Sequence, residues 1–200
     1  MFDVFERYIS AKAILTEQDL SLIRSLSVER KIAKREFVLR EGEIARYIFF
    51  ITSGILRLLR TDDKGNEYIL RFATENTWLS DKESYVTGNP SNAYIDAIED
   101  SQVLVWEKHD FHFLLKEIPA LKQLMKELVG RSQIANQNRV FTTISGSAEE
   151  KYFRFIEKYP DTFNRVPLHM IASYIGVSRE TLSRIRRHSV NKKNNSRSIL

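Results

Sequence analysis

The sequence predicts an α+β protein: an N-terminal antiparallel β jelly-roll barrel, then a long helix, then a C-terminal helix-turn-helix domain. Three observations predict it. From about residue 28, short apolar or alternating runs recur as FVLREGE, YIFFITSGILRLLR, EYILRFA, AYIDAIEDS and QVLVWEK, the texture of short strands in a sandwich or barrel. Residues 120–144 then place Leu121, Leu124, Met125, Leu128, Ala135 and Phe141 at helical spacing. Residues 168–187, LHMIASYIGVSRETLSRIRR, have the pattern of two short helices joined by a tight turn.

The elements follow in order. Residues 13–26 carry Ile14, Leu15, Leu20, Leu22, Ile23 and Leu26 near helical spacing, with Thr16 and Glu17 as a cap and an acidic first turn. The strands are parted by Glu41-Gly42-Glu43, Ser53-Gly54, Asp62-Asp63-Lys64-Gly65-Asn66 and Gly88-Asn89-Pro90. Asp-Lys-Gly-Asn between two apolar runs predicts a hairpin. Helix returns at 109–116, and Pro119 interrupts it before the long helix of 120–144. That helix becomes polar in its middle, at 131–138. Its apolar stripe fits either a core helix lying on its own barrel or, favoured by the heptad-like spacing, the seam of a two-fold dimer. Ser145-Gly146-Ser147 reads as a linker. Residues 148–159 form another amphipathic helix, with Tyr152, Phe153, Phe155, Ile156 and Tyr159, and Pro160 ends it. The expected boundaries are 1–118 for a barrel sensor domain, 119–145 for a dimerisation helix, 146–190 for the helix-turn-helix domain, and 191–200 for a disordered basic tail.

Within the helix-turn-helix, Ala172 is small where two helices cross, and Gly176 sits where the turn needs a positive φ. Ile171, Ile175, Val177, Leu182 and Ile185 supply the apolar contacts between the helices, and Ser178 is the N-cap of the second. That helix exposes Arg179, Glu180, Ser183, Arg184 and Arg187. Arginine can bond a guanine edge bidentately, glutamate can accept from cytosine N4, and serine can bond a base or a phosphate. The predicted partner is double-stranded DNA.

Charge supports this placement. The chain carries +5 overall, but 151–200 hold eleven Lys/Arg against three Asp/Glu, while 1–150 hold twenty against twenty-three. A basic end on a slightly acidic body is the footprint of a DNA-binding module attached to a sensor. An apolar fraction of 42% is enough for substantial cores, and no run approaches the roughly 18 residues of a membrane helix. No membrane association is expected. The absence of cysteine removes disulfides and thiolate metal sites. MFDVFERYIS lacks the long apolar run of a secretory signal, so a cytoplasmic location is expected.

Other groupings carry no chemistry. His109 and His112 share a helix face with Asp110 but have no third convergent ligand, so a surface pair is expected rather than a metal site. Asp62-Asp63 lacks calcium-loop spacing, and no nucleophile elbow or phosphate-binding loop occurs. Trp78 and Trp106 are expected in a core or a pocket wall. No catalytic constellation is present, and the protein is not expected to be an enzyme.

LREGEIARYIFFITSGILRLLR (39–60), the DDKGNEYILRFA hairpin and GVSRETLSRIRR together resemble the CRP/FNR family of bacterial transcription regulators over nearly the full length. The resemblance implies a cyclic-nucleotide-binding-like barrel, a homodimer and a sequence-specific regulator controlled by a small-molecule effector in the barrel. It places the recognition positions on Arg179, Glu180, Ser183 and Arg184 and implies a palindromic operator with TGA-type half-sites, with Arg184 suited to guanine and Glu180 to a cytosine amino group. Arg179, Thr181 and Arg187 are assigned to phosphates or flanking bases, and Ser178 completes the DNA-binding set as the cap. RNA polymerase is a further partner if the protein activates. The family's effector cassette falls on Ser80, Asp81, Ser91 and Asn92, with Ser91 where the phosphate-binding arginine stands. Cyclic AMP is therefore not expected, and the effector remains unidentified. The chain runs from Arg187 into a polar tail, so the family's two-stranded wing is expected to be short or missing. The alternative is a ligand-binding regulatory module that acts on a protein partner.

Overall fold

The computed structural model describes the backbone of residues 1–197 and the side chains of residues 1–188. It divides into two compact units, Met1–Arg131 and the segment from Ser132 onward. The expected α+β class holds, with eight strands in the first unit and the helix-turn-helix in the second.

In the first unit two helices, α1 (Phe2–Ser10) and α2 (Glu17–Ser25), precede strands β1 (Val28–Ile32), β2 (Phe37–Leu39), β3 (Tyr47–Ser53), β4 (Leu56–Thr61), β5 (Glu67–Ala73) and β6 (Trp78–Leu79). A short helix α3 (Lys82–Thr87), strands β7 (Tyr94–Ala97) and β8 (Ser101–Glu107), and helix α4 (Lys108–Glu117) follow. The strands form two antiparallel four-stranded sheets, ordered β1-β8-β3-β6 and β2-β7-β4-β5.

The continuous apolar run QVLVWE reflects a strand buried on both faces. Successive side chains of a strand point to opposite sides. Val103 and Val105 of β8 enter the space between the sheets with Ile32, Phe49, Ile51 and Leu56. Leu104 and Trp106 point the other way, into a layer built by α1, α2 and α4 around Phe5, Ile9, Ile23 and Phe111. The Trp106 indole N–H donates to the Ile23 carbonyl at 3.2 Å, so its polar edge is satisfied inside that layer. Thr16 caps α2 as expected, and its hydroxyl accepts from the Asp19 N–H at 3.1 Å.

At the Ser53-Gly54 turn two constraints coincide. Gly54 has φ +94°, and a Cβ there would lie 2.7 Å from the Ser101 Cα. Gly54→Ala should cost roughly 3 kcal/mol, combining left-handed strain with overpacking against backbone that cannot step aside. Chemical denaturation of the variant checks this, and a loss under about 1 kcal/mol would contradict the close approach.

Helix α5 (Pro119–Ser145) begins with proline at its first position, where the missing N–H has no partner to lose. Its apolar stripe divides. Leu121 and Leu124 are buried in the first unit's helical layer, with Met125 and Leu128 packed against it. This half fulfils the core-helix reading. Further along, Ile134, Phe141 and Ile144 are exposed.

In the second unit the remainder of α5 is followed by α6 (Ala148–Lys158), α7 (Leu168–Ile175) and α8 (Arg179–Arg197). The Ser145-Gly146-Ser147 segment is more than a linker. Ser147 caps α6 reciprocally with Glu150: its N–H donates to Glu150 Oε2 at 2.7 Å, and its Oγ accepts from the Glu150 N–H at 3.2 Å. A disordered tail from 191 was expected, yet the α8 backbone continues as helix through Arg197. No glycine or proline lies between 179 and 200 to stop it. Residues 198–200 of that tail lie outside the described residues. Among the described residues no strand follows α8.

Candidate nucleic-acid interface

The geometry of α7 and α8 is set by a few local choices. Gly176 closes α7 at φ +69° and ψ 42°, and its N–H bonds the carbonyls of Ala172 and Ser173. The Val177 N–H returns to the Ala172 carbonyl at 3.1 Å, so Ala172, itself buried, anchors the turn. Ser178 then accepts from the Thr181 N–H at 3.1 Å, which satisfies one of the free donors at the start of α8. Leu182 and Ile185 are buried, as are Ile171 and Ile175 on α7.

With Leu182 and Ile185 turned inward, helical periodicity leaves Arg179, Glu180, Arg184 and Arg187 exposed, with Thr181 and Ser183 half-buried beside them. The Thr181 hydroxyl is engaged by Ser178 at 3.0 Å and by Arg184 at 3.4 Å. The Arg184 guanidinium is thereby held over the first turn. Glu180 is held below the usual carboxylate range, first by its own backbone N–H, then by the Ser178 hydroxyl, with Arg179 and Arg184 adding attraction. It is a full anion at neutral pH, and an anion accepts a cytosine amino hydrogen better than a neutral acid.

Arg186 differs from its neighbours. Its guanidinium lies over the Phe163 ring, 5.1 Å from the centroid, and so serves the fold of the domain. The sequence shows three arginines within four positions, all exposed, and only the contact of the Arg186 guanidinium with Phe163 and Tyr152 sets it apart from Arg184 and Arg187.

The four effector-cassette residues are placed unevenly. Asp81 and Ser91 are both buried and bonded to each other, with the Ser91 hydroxyl donating to Asp81 Oδ2 at 2.6 Å. Asp81 also caps α3 through the Glu83 N–H. Ser80 donates to the Tyr47 carbonyl at 2.9 Å and borders a cleft of about 500 Å³ with Ala45, Arg46 and Ile95. Asn92 is exposed. Backbone groups nearby are also used internally: Gly42 N–H bonds the Ser91 carbonyl and Ser91 N–H bonds the Glu43 carbonyl, both at 2.8 Å. The Ala45 N–H donates to Ser84 Oγ at 2.9 Å.

Sequence reasoning missed the most concentrated charge in the barrel. Arg57 on β4 is 7% exposed and forks onto Asp96 of β7, Nε to Oδ1 at 2.7 Å and Nη2 to Oδ2 at 3.1 Å. Its third bond runs from Nη1 to Glu67 Oε2 at 2.6 Å. Burial alone would lower its basicity, but the two carboxylates outweigh burial and raise it. A charged residue inside each of the runs ILRLLR and AYIDAIED was the available signal.

His109 is 91% exposed, with only Asp110 beside its ring at 3.3 Å. Trp78 and Trp106 lie together in the helical layer, ring centroids 5.4 Å apart. Among the described residues no helix is long and apolar enough to cross a membrane.

Comparison with known proteins agrees with this architecture. Residues 29–117 match the model of the cyclic nucleotide-binding domain. The cAMP-activated global transcriptional regulator CRP of Salmonella typhimurium is 22% identical over 166 residues, covering 78% of this chain and 79% of CRP. The transcriptional activator protein Anr of Pseudomonas aeruginosa is 26% identical over 187 residues, covering 86% and 74%. The solved structure of FixK2 from Bradyrhizobium japonicum superposes with a TM-score of 0.72 at 16% identity, covering 84% of this chain and 86% of FixK2. With a barrel that matches the nucleotide-binding model and a helix-turn-helix behind it, the chain is similar over most of its length to transcription regulators of the CRP/FNR type.

Proposed function

We propose that the protein is a dimeric transcription regulator that reads a palindromic operator, with Arg184 and Glu180 contacting a TGA-type core in each half-site. The observation that carries the reading is the division of α8 into a buried side, Leu182 and Ile185, and an outward side bearing Arg179, Glu180, Arg184 and Arg187. Arg184 suits the guanine edge and Glu180 the amino group of its neighbouring cytosine partner, while Arg179, Thr181 and Arg187 suit phosphates or flanking bases. Ser178 orients the helix as its cap. The domains are proposed as a barrel over 1–118, a dimer helix over 119–145 and a DNA-binding domain over 146–190. RNA polymerase is a partner if the bound protein activates.

Two recognition helices must be about one DNA turn apart, roughly 34 Å, which requires a two-fold partner. The exposed residues Ile134, Gln137, Phe141 and Ile144 on α5 follow a 3-4-3 spacing, the period of a coiled-coil seam. Replacing both Phe141 and Ile144 with glutamate should give a folded monomer in sedimentation that no longer prefers a palindromic duplex over a scrambled one. The wild type should dimerise and prefer the palindrome. A wild type that is monomeric at micromolar concentration with and without DNA, or that binds both duplexes equally, would overturn the proposal. Leu124 and Leu128 are unsuitable for this test, since charge there would break the first unit's own core.

The barrel is proposed to respond to something other than cyclic AMP. A cyclic phosphate carries a full negative charge, and the Asp81 carboxylate, bonded to Ser91, stands where the cassette would receive it. An anion beside a buried carboxylate with no bidentate arginine is repelled rather than held.

A further inference from the structure

The second unit contains a pocket unrelated to the effector cassette or to the face of α8. It has a volume of about 250 Å³ and lies among α5, α6 and α7. Four of its lining side chains are cations, Arg139, Lys151, Arg154 and Lys158, and no acidic side chain lines it. Phe155 and Tyr174, both buried, form its apolar wall. Like charges so gathered repel one another, and the repulsion is relieved only in part, by Glu150, which attracts Arg154 from outside the lining, and by the Tyr159 ring beneath Lys158.

Individual groups show how little of this charge is used inside the protein. Arg154 donates to the Thr142 hydroxyl at 2.6 Å, a neutral acceptor. Arg139 lies over the Tyr174 ring, 5.1 Å from its centroid, and its Nε is buried with no hydrogen-bond acceptor. Buried donors of a charged group are ordinarily paired. Glu150 on the same helix as Lys151 is committed to capping Ser147. None of the four cations is in an ion pair with a carboxylate among the described residues.

We propose that this pocket binds a small aromatic phosphate monoester, with the ring against Phe155 and Tyr174 and the phosphate among the four cations. Three features select that class. A phosphate monoester carries nearly two charges at neutral pH and three acceptor oxygens, which matches several separate donors better than a carboxylate does. The aromatic wall rewards a ring. The volume lies just under the usual range for drug-sized ligands, so it suits a single ring. Because the walls come from α5, which carries the exposed seam, and from α7, the first helix of the helix-turn-helix, occupancy would tie the two together. A ligand that favours one packing of these helices shifts the population toward it.

The test is calorimetry of the full-length protein with phenyl phosphate, inorganic phosphate and phenol as probes. Phenyl phosphate should bind saturably and at least about tenfold more tightly than either fragment, since it alone engages both halves of the pocket. Lys151→Gln with Lys158→Gln should weaken it about tenfold while leaving the circular dichroism spectrum unchanged. Arg139→Gln provides a second, independent loss. Equal affinity for phenyl phosphate and inorganic phosphate, no saturable binding at millimolar concentration, or binding unchanged in both variants would overturn the proposal. The salt dependence of duplex affinity separates this site from DNA contact. It should be unchanged in Lys151→Gln/Lys158→Gln, whereas a slope reduced by about two would assign these cations to the DNA backbone and reject the pocket as a small-molecule site.

Discussion

Arg184→Ala is expected to abolish discrimination between a TGA-containing palindrome and scrambled DNA while leaving a folded dimer. A bidentate arginine–guanine contact contributes about 1–3 kcal/mol of discrimination in each half-site, so the dimer should lose roughly 2–6 kcal/mol on the palindrome. Affinity for scrambled DNA should fall only slightly, because phosphate contacts dominate there. Arg184 is exposed, and its side-chain bond to Thr181, at 3.4 Å, is long, so the variant has little to lose in stability. Fluorescence anisotropy with the two duplexes at one fixed salt concentration checks this. Arg186→Ala supplies the contrast: it removes the packing on Phe163, so it should lower thermal stability and keep sequence preference. Retained preference in Arg184→Ala would remove α8 from the role of reading helix.

Arg57→Ala is expected to be the most damaging single change in the barrel. The substitution leaves Asp96, 5% exposed, as a buried carboxylate without its fork, and breaking such a pair typically costs about 3–5 kcal/mol. That is a large share of the 5–15 kcal/mol that holds a domain together. Arg57→Ala/Asp96→Ala should recover part of the loss, because no unpaired charge then remains inside. Urea denaturation of both variants tests the argument. A double variant as unstable as the single one would place the damage in lost packing rather than in a stranded charge.

The helix-turn-helix was legible because its determinants are local: Ala172, Gly176, Ser178 and the buried residues around them lie within fifteen positions. The barrel strands were legible where both faces are apolar, as in β3 and β8. β1 was missed because it is an edge strand whose VERKI sequence is mostly exposed, and charged edges hide their strand character. α1 was missed despite Phe2, Phe5 and Ile9, since nine residues give periodicity little room to show. The division of the α5 stripe could not be read from spacing alone. Leu124 and Phe141 have the same side chain class and helical context, and only the layer around Phe5 and Trp106 tells them apart. Long-range pairs were equally hidden: Arg57 and Asp96 are 39 positions apart and meet only through sheet register.

The pairing of the two tryptophans has a practical result for spectroscopy. Trp78 and Trp106 are the chain's only tryptophans and share one buried cluster in the first unit. Indole emission therefore reports on the barrel alone, shielded from solvent while it is folded and shifted to longer wavelength when it opens. The DNA-binding half contributes no indole signal. Its tyrosines, Tyr152, Tyr159 and Tyr174, emit at shorter wavelength. A melt followed by indole emission reports on the barrel, while helical ellipticity sums the helices of both units, so an ellipticity change that does not coincide with the indole change belongs to the second unit. Two midpoints would reveal that the barrel and the reading head lose structure independently, and one would reveal that they are coupled.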